Sequence, residues 1–223
     1  MKFVILDSGP LISLTLNGLQ DILEKLKTKY KEIQFIITPA VKHEVIDHAL
    51  NVKKYELEGL KLTDLMNRKI LTPSSEYVSN NLLERETQRI MKTANNIIQV
   101  SGKPVELIQI GESSCLAFTN LCKCESIIAI DERTTRLLSE SPENLQKIME
   151  RKLHMQLNLN FKLLKEFKDF KFIRSSELLY IAFKNNLIGL KTDKGLLDAL
   201  LYAVKYTGTA ISSKEIEEMK NLI

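Results

Sequence analysis

Two short apolar runs, each closed by a carboxylate, constrain the fold of this chain more than any other feature. Phe3-Val-Ile-Leu6 ends on Asp7, and Ser126-Ile-Ile-Ala-Ile130 ends on Asp131. An unbroken apolar run of this length suits a parallel strand buried on both faces. After Asp7, Ser8-Gly9-Pro10 punctuates a loop, and helical spacing resumes from Leu11. The pattern is that of an open α/β sheet. In such a sheet the ligand crevice lies beyond the carboxyl ends of the strands, which is where Asp7 falls. A carboxylate there also suits a helix cap, so on the residues alone both readings stand for Asp7 and for Asp131.

At 223 residues the chain can bury a sizeable core, as one domain or one domain with an appendage. No stretch approaches the roughly 20 apolar residues of a membrane span. Phe3 to Leu6 is too short for a signal peptide and Asp7 interrupts it, so a cytoplasmic protein is expected. The net charge of +4 permits a nucleic-acid partner without demanding one. The absence of Trp argues against a base-stacking platform as the main binding device. Three cysteines, Cys115, Cys122 and Cys124, do not make a disulfide framework. Cys122-Lys-Cys124 has no second Cys or His pair at zinc spacing, and small buried residues at a helix end are the expected role.

Along the chain, Leu11 to Leu26 reads as a helix and Gln34 to Thr38 as a second strand. Pro39 opens a helix over Ala40 to Leu50. His43, Glu44 and His48 are not a zinc-protease motif. The two histidines are five apart, about 140° round a helix, and that chemistry needs them four apart on one face. Glu44 remains a candidate because it falls at the same sheet edge as Asp7. Residues 51–105 read as a helical arm whose Arg85, Arg89 and Lys92 are expected to form a solvated face, with contact to phosphates as the rival reading. Gly111 suits a tight start to the next helix, and Glu112 in its first turn faces the positive helix end. Glu112 also reads as a surface residue that merely offsets the helix dipole. Pro142 to Phe170 is a charged, helix-forming stretch broken near Asn158, and Phe170 to Ile173 is a short strand before the cap Ser175-Ser176-Glu177.

Four acids, Asp7, Glu44, Glu112 and Asp131, thus share one address if the strands are parallel and adjacent. Two carboxylates about 5 Å apart repel by roughly 3 kcal/mol at an effective dielectric of 20. A cation is therefore expected, and hard oxygen ligands select Mg²⁺ or Mn²⁺ over zinc. Such a site suits phosphodiester hydrolysis, because the metal lowers the pKa of a bound water and stabilises charge on the phosphate oxygens. No Ser-His pair, P-loop or Gly-x-Gly-x-x-Gly supplies a competing chemistry. Residue 9 is Gly, where a phosphoaspartate enzyme would carry a second Asp.

In these segments the chain resembles the PIN-domain nucleases. The matching residues are Leu6-Asp7-Ser8 with Ser13, Thr38-Pro39 with Glu44, Gly111-Glu112 ahead of Leu116-Ala117, and Ile130-Asp131-Glu132-Arg133 with Arg136. The likeness is greatest to archaeal members that carry Gly-Glu where many toxin-type members carry Asp. It implies a single domain over 1–223, a doubly wound parallel sheet with helices on both faces, carrying helical insertions at about 51–105 and 139–169. It implies Asp7, Glu112 and Asp131 as metal ligands and Glu44 as the group that orients or deprotonates the attacking water. Ser8 would support Asp7 by hydrogen bonding. Glu132 rivals Asp131 as the fourth acid, and Arg133 and Arg136 would meet nucleic acid. The implied activity is Mg²⁺- or Mn²⁺-dependent cleavage of RNA, with an inactive scaffold binding RNA or protein, or a DNA nuclease, as the alternatives. An antitoxin partner and a homodimer also follow from the resemblance, and no membrane association does.

Overall fold

The computed structural model describes residues 1–190 and 193–222. The chain begins with β1 (Lys2–Leu6), α1 (Ser8–Leu16), α2 (Asp21–Lys29) and β2 (Ile33–Ile37). The helix expected over Leu11 to Leu26 is therefore two helices. The chain reverses at Gly18, whose φ of 66° only glycine adopts without strain. Next comes α3 (Pro39–Lys42), which continues as a π-helical turn over His43–His48 and a 3₁₀ turn over Ala49–Asn51. The regular helix expected over Ala40 to Leu50 is thus wound in three ways. Then follow α4 (Glu56–Asn67), β3 (Leu71–Pro73), α5 (Asn80–Asn95), and the short strands β4 (Gln99–Val100) and β5 (Lys103–Pro104). The second half holds α6 (Ile110–Cys122), β6 (Ser126–Ala129), α7 (Arg133–Glu140), α8 (Pro142–Leu153) and α9 (Phe161–Leu164). It closes with β7 (Phe172–Ile173), α10 (Ser175–Lys184), α11 (Lys194–Tyr206) and α12 (Ser213–Lys220).

Five strands form one parallel sheet in the order β3-β2-β1-β6-β7. The order runs outward in one direction from β1 to β3 and in the other from β6 to β7. The reversal between β1 and β6 opens a crevice at their carboxyl ends, because the connections leave to opposite faces there. Alternation along β1 assigns the faces. Val4 shares a surface with Phe35 and Ile127, its partners in register, and this face meets Leu26 of α2 and Leu178 of α10. Phe3 points the other way and packs its ring on Phe118 of α6 and on Tyr77, at 5.8 and 4.7 Å between centroids. Helices therefore cover both faces, and Ile5, Leu6, Ile36 and Ile128 are buried between them.

Residues 51–105 are not an arm. β3 is an edge strand of the main sheet, and α5 lies along α6 within the core. Residues 139–169 are also packed in, through buried Leu145, Met149 and Phe167. The two expected insertions meet each other. Ile98 bridges Leu159, and the Asn160 amide donates to the Ile97 carbonyl at 2.9 Å. No described helix is long and apolar enough to cross a membrane.

Candidate functional site

The cleft at the reversal point is lined by Asp7, Glu44, Glu112, Asp131 and Glu132, with Ser8, Gly9, Gly111 and Arg133. Its volume is about 440 Å³. Each acid arrives by a different local device. Asp7 ends β1 in extended backbone and precedes α1. Its carboxylate is buried, and Oδ1 has no hydrogen-bond partner among the described residues. Burial pushes its pKa up to about 8, helped by the charges of Glu112 and Glu44 and opposed by the backbone amides of Ser8 and Gly9. Neither amide makes a capping hydrogen bond to the Asp7 side chain. The Ser8 hydroxyl makes no hydrogen bond among the described residues, so the hydrogen bond expected from Ser8 to Asp7 is not formed.

Glu44 is exposed and belongs to the π-helical turn that follows Thr38 and Pro39. The Thr38 hydroxyl anchors that segment. It caps α3 at the Val41 amide and shares a 2.6 Å hydrogen bond with Ser114 of α6. Ser114 in turn donates to the Gly111 carbonyl at 2.6 Å. The end of β2 and the start of α6 are thereby tied together, which brings Glu44 toward Glu112. Gly111 lets the acids come close. A Cβ on it would stand 3.3 Å from Asp7 Oδ1 and 3.6 Å from Glu44 Oε2. Those two oxygens are consequently within about 7 Å of each other.

Glu112 sits in the first turn of α6. One oxygen accepts the Gln109 amide at 2.5 Å and the other accepts the Thr135 hydroxyl at 3.3 Å. Burial raises its pKa, against the Gln109 amide, and the charges of Glu132 and Glu44 raise it further. Glu132 itself caps α7 by accepting the Thr134 amide.

Asp131 lines the same cleft but points its oxygens elsewhere. Oδ1 accepts the Ser175 amide at 2.8 Å, and Oδ2 accepts the Thr209 hydroxyl at 3.0 Å. Register accounts for this. Leu6 faces Ala129, so Asp7 lies level with Ile130, and Asp131 is one residue further along, where alternation turns the side chain away. Burial raises its pKa, while the hydrogen bonds from Ser175 and Thr209 and the charge of Arg136 lower it. Ser175 and Thr209 also share a 2.5 Å hydrogen bond. Both are residues that sequence reasoning missed as parts of this site. Ser175 carried a signal only as a helix start. Ser13, matched to the opening motif, lies behind the site and bonds Thr207 at 3.0 Å.

The donor set here is carboxylate oxygen throughout, which suits a hard cation. Asp7 Oδ1 is a buried acceptor without a hydrogen-bond partner among the described residues, and such acceptors are rare. As the side chains stand, no three Asp, Glu, His or Cys groups among the described residues are gathered at coordinating spacing. Asp131 would have to share oxygens that Ser175 and Thr209 already use. The cysteines lie outside the cleft: Cys115 is buried in α6, Cys122 half-buried at its end and Cys124 exposed. No family model, curated protein or solved structure matches the chain.

Proposed function

We propose that this chain is a divalent-metal-dependent endoribonuclease of the PIN-domain type, hydrolysing RNA phosphodiester bonds in the cleft between β1 and β6. The observation that carries the reading is Asp7 Oδ1, a buried acceptor without a hydrogen-bond partner among the described residues, facing Glu44 across Gly111. A group so placed is stabilised as a carboxylate only when positive charge sits beside it. The reversal of strand order at this point and the four motif segments quoted above support the same reading.

Asp7, Glu112 and Asp131 would hold the Mg²⁺ or Mn²⁺. Bound there, the ion would lower the pKa of a water and offset charge on the phosphate oxygens. Glu44, exposed on its π-helical turn, has the solvent access a group needs to orient the attacking water or take its proton. Glu132 stays at the rim as the cap of α7. The test is cleavage of a labelled single-stranded RNA with Mn²⁺ by the native chain and by Asp7→Asn. Undiminished cleavage by the variant sinks the assignment.

One observation favours a second reading, a scaffold without activity: Glu112 and Asp131 already spend their oxygens on hydrogen bonds within the fold. Calorimetric titration with Mn²⁺ separates the two. A scaffold takes up no ion whose binding depends on Asp7 and Glu112. A parallel panel of RNA, single-stranded DNA and duplex DNA distinguishes a ribonuclease from a deoxyribonuclease.

A further inference from the structure

The sheet face that carries Val4, Phe35 and Ile127 is not fully covered. α2 and α10 lie on it, and between them opens an apolar cleft of about 470 Å³. Val4, Phe35 and Ile127 belong to its floor, with Leu26 of α2 on one side and Ile181 of α10 on the other. Protein interiors are close-packed and keep few voids larger than a water molecule. This volume falls instead in the range of small-molecule sites, which are mostly apolar with a few placed polar groups. The cleft shares no lining residue with the acidic one.

The polar groups sit on one flank. Leu178, Ile181 and Asn185 recur at helical spacing and face the sheet. Tyr180 and Lys184, one helical turn apart, run beside that stripe and form a rim. The Lys184 ammonium lies 5.3 Å from the centre of the Tyr180 ring. Both side chains donate to one acceptor, the Leu222 carbonyl, at 3.3 Å from Lys184 and 3.5 Å from Tyr180. Both distances exceed the normal range, so each donor stays open to a stronger acceptor. Among the described residues Lys184 is the one charged side chain that lines the cleft, and no carboxylate does. The rim thus offers one positive charge and one hydroxyl to a ligand that fills the apolar floor.

We propose that this cleft binds a straight-chain alkyl carboxylate, its tail on the floor between α2 and α10 and its head at Lys184 and Tyr180. Complementarity of charge and polarity argues for this occupant. An ammonium and a hydroxyl side by side match the two oxygens of a carboxylate, and the ammonium makes its hydrogen bond a charge-assisted one. A floor of Val, Phe and Ile side chains matches a tail that asks for no hydrogen bond. The inference is independent of the ribonuclease reading.

The test is calorimetric titration in EDTA with octanoate, decanoate and decanol, on the native chain and on Lys184→Gln, Lys184→Arg and Ile181→Trp. The native chain should take up one decanoate. Affinity should rise from octanoate to decanoate by up to roughly fourfold per added methylene, the limit for complete burial. Decanol, which lacks the charge, should bind roughly tenfold more weakly than decanoate. Lys184→Gln should weaken decanoate roughly tenfold and leave decanol unchanged, as loss of a charge-assisted contact does. Lys184→Arg should keep most of the affinity, and Ile181→Trp, which fills the cleft, should abolish binding of both. Lys184 is exposed, so its variants keep the test decisive even if Ile181→Trp fails to fold. The proposal is overturned if the native chain binds no decanoate, if decanol binds as tightly, or if Lys184→Gln binds decanoate like the native chain. Uptake of many decanoates at similar affinity, the mark of surfactant adsorption, overturns it too. So does sedimentation showing a dimer that decanoate dissociates, which would give this face to a second copy. The titration contains neither RNA nor divalent metal, so its failure leaves the nuclease reading untouched.

Discussion

Asp7 Oδ1 stands 3.3 Å from where a Cβ on Gly111 would be, closer than side chains normally tolerate. The first turn of α6 is therefore shaped around the Asp7 carboxylate, and Glu44 Oε2 borders the same point at 3.6 Å. Gly111→Ala sets two effects against each other. Alanine is favoured over glycine in a helix by up to about 1 kcal/mol. The added methyl pushes on Asp7, which is fixed in place by burial. Folding stability is expected to change by less than about 1 kcal/mol, while Mn²⁺ affinity falls at least tenfold. Thermal unfolding and calorimetry on the same sample check both halves. Unchanged Mn²⁺ binding would show that the acids do not act across Gly111.

Asp7 predicts a pH dependence of stability in the absence of metal. Its pKa is raised from 3.8 to about 8 by burial first, and then by Glu112 and Glu44. Between those values the folded chain keeps a proton that the unfolded chain has lost. Stability therefore falls as pH rises from about 4 and levels off above about 8, with an upper limit of about 6 kcal/mol for this group. Asp7→Asn removes the effect. In EDTA the variant should be more stable than the native chain at pH 8, and the gap should close toward pH 4. Urea unfolding across that range measures it. A gap that is constant with pH would mean that Asp7 is not the titrating group. Added Mn²⁺ should stabilise the native chain most above pH 8 and leave the variant unmoved.

The placements of Asp7, Glu44 and Glu112 were legible because each depends on local pattern. An apolar run must end where its strand ends, and Pro39 and Gly111 mark helix starts. What was hidden depends on distance along the chain. Ser175 and Thr209 lie 44 and 78 residues from Asp131, and nothing local connects them. The place of β3 in the main sheet was hidden too, because three residues ending in Thr72-Pro73 read as a boundary. The π-helical turn at Glu44 leaves no mark on a hydrophobic pattern, since a stretch of six residues is too short to display a period of its own.

Asp131 has a structural duty that substitutions can separate from chemistry. Thr209→Val keeps shape but removes the donor to Oδ2, leaving a buried carboxylate with one bond fewer. The expected loss is about 1.5–3 kcal/mol of stability, the range for hydrogen bonds to charged groups. Asp131→Asn keeps an oxygen for the Ser175 amide and offers an N–H to the Thr209 oxygen. It should fold within about 1 kcal/mol of the native chain. If Asp131 also serves the reaction, Asp131→Asn loses cleavage while keeping its fold. Cleavage that survives in Asp131→Asn but drops in Thr209→Val in step with stability would make Asp131 a clamp between β6 and α10.

Glu112 poses the same question at the start of α6. Its carboxylate accepts the Gln109 amide and the Thr135 hydroxyl, so it is both a helix cap and a wall of the cleft. Glu112→Gln retains an acceptor for the amide and should lose under about 1 kcal/mol. Glu112→Ala frees the amide and should lose about 1 kcal/mol or somewhat more. A purely structural Glu112 would give activities that follow this order, with Gln close to native. A Glu112 needed for its charge gives two equally inactive proteins of different stability. Urea unfolding and Mn²⁺-dependent RNA cleavage, measured on both variants, decide between them, and the half-buried carboxylate beside Glu44 and Glu132 favours the second outcome.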